Sequence, residues 1–119
     1  MRHELVAAAS SSSASRAQDF INACKGPSTA KAYGSYAELV ADANIDIIYI
    51  ATPHSHHFQN AMLALQAGKN VLCEKSLTVN AKQAKKLYEV AKEKKLFFME
   101  AVWTRCFPLS VKIREMVTS

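Results

Sequence analysis

Apolar residues along this chain follow two periods, and the two alternate. Short continuous runs mark the first: Leu5 to Ala9, Ile45 to Ala51, Val71 to Cys73 and Leu96 to Met99. Such runs, with β-branched and aromatic residues at Ile47-Ile48-Tyr49-Ile50 and Phe97-Phe98, predict strands buried on both faces. Between them apolar residues recur at three and four positions. Ala17, Phe20, Ile21 and Cys24 form one helical stripe, Phe58, Ala61, Met62 and Leu65 a second, and Ala84, Leu87, Tyr88 and Ala91 a third. Each stripe carries its own punctuation. Ser13 is placed to cap the first helix and Lys25-Gly26-Pro27 to end it; Ser55 and Gly68 bracket the second; Asn80 with Gln83 opens the third. Ser35 to Glu38 is a capping box starting a short helix through about Asp42. Pro108 suits the first turn of a last helix carrying Val111, Ile113, Met116 and Val117. Strand and helix in strict alternation predict an α/β fold, a doubly wound parallel sheet. No internal repeat interrupts it.

In such a sheet, ligands bind in the crevice beyond the carboxyl ends of the strands. Two runs end there in polar chemistry. The run to Ile50 passes into Thr52-Pro53-His54, and Val71-Leu72-Cys73 stops at Glu74-Lys75. An adjacent Glu-Lys pair is ordinarily a solvated surface pair, but this placement makes both residues site candidates. His54, His56 and His57 raise the question of a metal. Two are adjacent, no carboxylate is close in sequence, and the start of a helix disfavours cations, so no metal site is expected. One histidine is expected to touch a ligand and the others to face solvent.

Composition narrows the classes. The chain has 119 residues, half of them hydrophobic, which suits one small domain or part of a larger one. The net charge is +5, but Lys82, Lys85, Lys86, Lys92, Lys94 and Lys95 crowd one predicted helix without interleaved aromatics. They read as the solvated face of an amphipathic helix, so no nucleic-acid partner is expected. Cys24, Cys73 and Cys106 are an odd number without paired spacing. Cys24 and Cys73 fall at apolar positions, the pattern of small core residues in a reducing, cytoplasmic setting. No apolar run reaches the roughly 18 residues that span a bilayer, and the five-residue run after Met1-Arg2-His3 is shorter than a secretory core.

Four stretches together resemble the cofactor-binding half of the Gfo/Idh/MocA oxidoreductases. They are residues 30–39 (Ala30 to Leu39), 50–57 (Ile50 to His57), 67–75 (Ala67 to Lys75) and 99–108 (Met99 to Pro108), in the family's order and spacing. Within the family the resemblance is strongest to the branch of dimeric dihydrodiol dehydrogenases and NADP-dependent D-xylose dehydrogenases. It implies a Rossmann-like domain over residues 1–119, with small-molecule substrates (a sugar or trans-dihydrodiol), a homodimer, and no membrane partner.

There are two departures. The family's Glu-Lys-Pro reads Glu74-Lys75-Ser76 here; proline pre-sets that backbone, in some relatives as a cis bond, so serine is expected to free Lys75. The family also opens with a strand and a glycine-rich turn holding the pyrophosphate. Only Gly26, Gly34 and Gly68 occur here, none before the first strand. The chain is therefore expected to begin at the family's second strand and to lack the C-terminal substrate domain. The missing strand belongs between Leu5–Ala9 and Ile45–Ala51. The gap could close by direct pairing of those two segments or by a second chain. A non-catalytic fragment, or an interaction module pairing through its free edges, is thus the alternative to an enzyme.

The resemblance also implies roles. Where a Rossmann domain reads the adenosine ribose, an acidic residue would favour NAD. Ser11, Ser12 and Arg16 stand there instead, and hydroxyls with a cation suit the 2′-phosphate of NADP; spare serines around a helix cap are the plainer reading. Thr52, Pro53 and His54 would line the cofactor cleft. Lys75 is the catalytic candidate, its ammonium bonding the reacting hydroxyl. Glu74 would orient the cofactor and hold the lysine. Trp103 and Arg105 would line the nicotinamide and substrate pocket, with core packing the plainer reading of the tryptophan.

Overall fold

The computed structural model describes residues 3–118; Met1 and Arg2 of the basic start, and Ser119, lie outside the described residues. The expected alternation is present. In chain order the elements are β1 (Ala7–Ala9), α1 (Ala14–Ala23), β2 (Lys31–Tyr33), α2 (Tyr36–Ala41), β3 (Ile47–Ile50), α3 (His57–Gln66), β4 (Asn70–Glu74), α4 (Ala81–Glu93), β5 (Phe98–Ala101) and α5 (Pro108–Thr118). Short 3₁₀ turns at His54–His56 and Trp103–Cys106 follow β3 and β5. β2 is the element the pattern missed: three residues, one of them an exposed lysine, leave no periodic signal.

Side chains set most helix starts. Ser13 accepts from the Arg16 N–H at 3.3 Å, Ser35 from the Glu38 N–H at 3.3 Å, and Asn80 from the Gln83 N–H at 2.9 Å. Ser55 does not cap α3. Pro53 opens a 3₁₀ turn first, and the Ser55 hydroxyl pairs with His56 Nδ1 at 3.0 Å. Gly68 ends α3 at φ +78°, with its N–H on the Leu65 carbonyl and the Lys69 N–H on that of Ala64. α4 ends the same way at Lys95, but with a lysine at φ 56°.

All strand pairs are parallel, and they form two sheets. β1 pairs with β2 (Ala8↔Ala32), while β3, β4 and β5 form the other (Ile48↔Val71↔Phe98). Direct pairing of β1 with β3, one way of closing the gap, does not occur. β1 pairs only with β2 and β3 only with β4 among the described residues, and their other edges line a shared cavity of about 670 Å³. Polar links tie the halves instead: Lys69, at the start of β4, donates to the Asp42 carbonyl at 2.6 Å and the Ile45 carbonyl at 2.9 Å. Each buried ladder group left without a partner costs about 1–3 kcal/mol.

The second sheet is buried on one face only, against expectation. α3 and α4 cover the side bearing Ile48, Ile50, Val71 and Cys73, while Ile47, Tyr49 and Met99 on the other side remain over 40% exposed. No described helix covers that second face, and this is why the run of β3 alternates in burial despite being continuously apolar. Leu65 and Leu87 interlock beneath the covered face with no exposed surface, each contributing about 1.5–3 kcal/mol. Phe20, Cys24 and Tyr88 lie outward of their stripes, and α5 buries none of its side chains.

Two outcomes test these points. Nothing lies within 4 Å of a Cβ built on Gly68, so Gly68→Ala should cost only backbone strain, about 1 kcal/mol, whereas Lys95→Gly relieves strain and should gain up to about 1 kcal/mol. Urea midpoints moving in the same direction for both would contradict this.

Asp42 carries the second outcome. Its carboxylate accepts from the Asn44 backbone N–H at 2.9 Å and the Tyr33 hydroxyl at 2.8 Å, which with Lys31 lower its pKa from 3.8 to about 2. A depressed carboxyl stabilises the fold above its unfolded value and loses that contribution as pH falls from about 4 to about 2. Asp42→Asn should flatten this acid limb in denaturation series at stepped pH; an unchanged limb would refute the role.

Candidate functional site

Strand register delivers the candidate residues to one rim. Ile50 pairs with Cys73 and Glu74 with Ala101. Thr52 and Lys75 therefore each lie two residues beyond one paired position, and Trp103 two beyond another. Ser10–Ser12 follow the end of β1 in the same sense. These are the carboxyl ends of parallel strands, where helix starts and loop amides collect around ligands.

Glu74 is held by a neighbour that the sequence did not point to. The Tyr49 hydroxyl donates to one carboxylate oxygen, and the other accepts from the Lys75 backbone N–H at 3.1 Å. The hydroxyl contact, more than any other influence, lowers the glutamate's pKa and raises the tyrosine's. Glu74 thus positions the main chain of Lys75. The expected ion pair of Glu74 with the ammonium is not formed: no acceptor holds Lys75 Nζ among the described residues, and the side chain is exposed.

His57 corrects the expectation of solvent-facing histidines. It is fully buried, with Nδ1 2.9 Å from the Ser76 carbonyl and Nε2 2.8 Å from the Thr52 carbonyl. One ring therefore ties the turn after β3 to the turn after β4. Asn60 adds a bond to the Thr52 hydroxyl at 3.0 Å, and Glu100 accepts the Leu77 N–H at 2.8 Å. Where the family has proline, the Lys75–Ser76 peptide is cis, and both flanks are bonded, the Lys75 N–H to Glu74 and the Ser76 carbonyl to His57. His54 and His56 are exposed, and His54 meets the His57 ring edge-to-face at 5.3 Å. His57 belongs to a stripe shifted by one from the expected one: His57, Ala61, Ala64 and Leu65 are the buried residues of α3. That spacing was readable, but a histidine heading it does not count as apolar.

The remaining candidates divide. Ser10 and Arg16 line the cavity between β1 and β3 from one side, Thr52 and Pro53 from the other. Ser11 and Ser12 are exposed, and no acceptor among the described residues engages the Arg16 guanidinium. A free cation beside hydroxyls at a strand end fits a phosphate-bearing ribose. For a pyrophosphate the chain offers no glycine-rich turn, since its three glycines are isolated. Trp103 is not core: it is 58% exposed and meets Phe107 edge-to-face at 5.1 Å. Arg105 lies on the same 3₁₀ turn, its carbonyl accepting from Arg114 at 3.2 Å. Cys73, buried beside Glu100 and Glu74, has its thiol pushed up to about 12, chiefly by burial, and is no nucleophile.

Comparison with known proteins bears on this arrangement. Residues 1–102 match the family described as the oxidoreductase family with NAD-binding Rossmann fold. The chain is 68% identical over its full length to a D-xylose 1-dehydrogenase (NADP(+)) of Hypocrea jecorina, of which it spans 30%. It is 42% identical over 117 residues to a trans-1,2-dihydrobenzene-1,2-diol dehydrogenase of Danio rerio, spanning 34% of that protein. Among solved structures, an NAD binding oxidoreductase from Klebsiella pneumoniae superposes with TM-score 0.86 at 30% identity, over 97% of this chain and 30% of that one. A 3-ketoreductase from Actinomadura kijaniata, in complex with TDP-benzene and NADP, gives 0.85 at 30% identity, over 97% and 35%. The chain thus spans about a third of the length of these relatives.

The histidine tie has a measurable consequence. His57→Leu keeps a buried apolar group but strips the Thr52 and Ser76 carbonyls of their partner, so stability should fall by about 1–3 kcal/mol or more. His54→Leu and His56→Leu should stay within about 0.5 kcal/mol of the parent. Denaturant unfolding that ranked His57→Leu with the other two would contradict the burial-and-bonding account.

Proposed function

We propose a function from one established premise: the chain belongs to the Gfo/Idh/MocA oxidoreductase family, whose matched region is an NAD-binding Rossmann fold. It supplies the cofactor-binding part of an NADP-dependent dehydrogenase acting on a hydroxyl of a sugar or a trans-dihydrodiol. The observation that carries this reading is the placement of an unpaired Lys75 beyond β4, on a segment fixed by Glu74, His57 and Glu100.

The nicotinamide, when bound, supplies a carbon that accepts or returns hydride. Lys75 donates a hydrogen bond from its ammonium to the oxygen of the reacting hydroxyl and steadies the charge that develops as a separate acid-base group of the enzyme takes the hydroxyl proton. Glu74 positions Lys75 through its backbone N–H. Ser11, Ser12 and Arg16 take the 2′-phosphate, which sets the preference for NADP over NAD; Thr52, Pro53 and His54 form the cleft wall. Trp103 offers its exposed face to the substrate ring, with Arg105 beside it. Names of the relatives support this assignment: one acts with NADP on D-xylose, another on a dihydrodiol. A homodimer and a cytoplasmic setting complete the proposal, the latter consistent with three free cysteines; no described helix is long and apolar enough to cross a membrane.

The test is a chimera in which this chain replaces the matching 119 residues of the Hypocrea jecorina enzyme. Lys75→Ala should lower turnover by roughly 10²-fold or more. His54→Ala and His56→Ala should alter mainly KM. Arg16→Ala should weaken NADP while leaving NAD unchanged. A histidine variant losing more turnover than Lys75→Ala, or Arg16→Ala weakening both cofactors alike, would refute the assignment concerned.

A further inference from the structure

We propose that His57 works as an imidazolium, donating from both ring nitrogens at once, and that with Glu100 it forms a charge relay across the Ser76–Leu77 peptide. This does not depend on the cofactor reading. Both partners of the ring are backbone carbonyls, that of Ser76 at 2.9 Å from Nδ1 and that of Thr52 at 2.8 Å from Nε2. A carbonyl oxygen only accepts, and a neutral imidazole has one N–H. Either neutral tautomer would therefore aim a ring lone pair at an oxygen lone pair, at hydrogen-bond distance and on a fully buried side chain. Turning the ring over would set C–H groups against both oxygens, and no other donor among the described residues bonds either one. The doubly protonated ring satisfies both.

The other half of the relay lies across one peptide group. The carbonyl that Nδ1 meets belongs to the amide whose N–H, that of Leu77, donates to Glu100 at 2.8 Å. One planar amide thus has a cation on its oxygen and a carboxylate on its N–H. Both bonds are charge-assisted, and each polarises the amide in the sense that strengthens the other. A buried cation so gains a counter-charge without a direct ion pair. The remaining charges around the ring divide. Glu74, at the end of β4, favours the imidazolium; the ring in turn is a lesser influence, after the Tyr49 hydroxyl and Lys75, lowering that carboxyl's pKa. His54, 5.3 Å away, and the Lys75 ammonium oppose it, but both side chains are exposed. The Cys73 thiol, pushed up to about 12 chiefly by burial, stays neutral. His57 is therefore a positioning residue whose second proton joins the turn after β3 to the segment bearing Lys75. Loss of that proton releases one carbonyl and opens the tie.

Histidine-selective nitrogen-15 labelling of the full chain reads the ring directly, with signals assigned through His3→Gln, His54→Leu and His56→Leu. At about pH 7.5 an ordinary imidazole has given up its second proton. Both His57 nitrogens should still carry a hydrogen there and resonate as in imidazolium. Glu100→Gln keeps an acceptor for the Leu77 N–H but removes the charge, so its His57 should turn to the one-proton pattern at lower pH than the parent's. A tie that acts only by its shape would not move with that charge. Stability follows with a definite sign. The fold holds a proton that an unfolded histidine releases at about pH 6.5. The contribution is thus complete below that pH and is lost as pH rises through the folded ring's own transition. Urea midpoints should fall on the alkaline side in the parent and stay flatter in His57→Leu. An unprotonated His57 ring nitrogen at about pH 7.5, an unmoved transition in Glu100→Gln, or equal alkaline limbs in parent and His57→Leu would each overturn the proposal.

Discussion

The rung Ile48↔Val71↔Phe98 is the constraint on which the rest depends. β4 is paired along both edges, and its inward side chains, Val71 and Cys73, have no exposed surface beneath α3 and α4. A central strand fixed by two ladders and a core has no freedom of register, since a slip of one residue would turn Val71 and Cys73 outward. Whatever follows β4 is therefore fixed in space as well. That is why Glu74 and Lys75, which follow it, hold a set position beyond the strand, as the proposed site requires.

Beyond the strands, regular hydrogen bonding stops and side chains take over. Thr52, Ser76 and Leu77 leave backbone groups that no ladder serves, and His57 and Glu100 satisfy them from neighbouring elements. The arrangement holds two turns together while leaving Lys75 Nζ uncommitted. Burial of such ties makes them costly to lose, and it also separates roles. Of the residues that position the rim, His57 is fully buried and Asn60, Glu74 and Glu100 are half-buried, whereas Lys75 and His54, proposed to meet ligands, are exposed.

Legibility in the sequence followed locality. Caps at Ser13, Ser35 and Asn80 and the stop at Gly68 were readable because each is decided within four residues. The family was readable because four motifs keep order and spacing. The exposed face of β3 was not, since nothing in Ile47-Ile48-Tyr49-Ile50 says whether a helix covers one side or two. The gap between β1 and β3 was expected from the family's strand order, but whether the two would pair across it was not legible, because that depends on partners far along the chain. At the site, Lys75 and the Thr52–His54 turn could be named from strand ends. His57, Asn60, Tyr49 and Glu100 act through contacts 5 to 25 residues distant in sequence and emerge only when the strands are in register.

The central claim is that the carboxyl-end rim of this chain receives NADP, with Arg16 reading its 2′-phosphate. Amide-resolved NMR titration of the 119-residue chain tests it most directly, because fast-exchange shifts report even the weak binding expected without a glycine-rich turn. NADPH should move the amides of Ser11, Ser12, Arg16, Thr52, His54 and Lys75, and NADH should move the first three distinctly less. Shifts spread over the lysine face of α4, or the same shifts from both nucleotides at Ser11, Ser12 and Arg16, would contradict it.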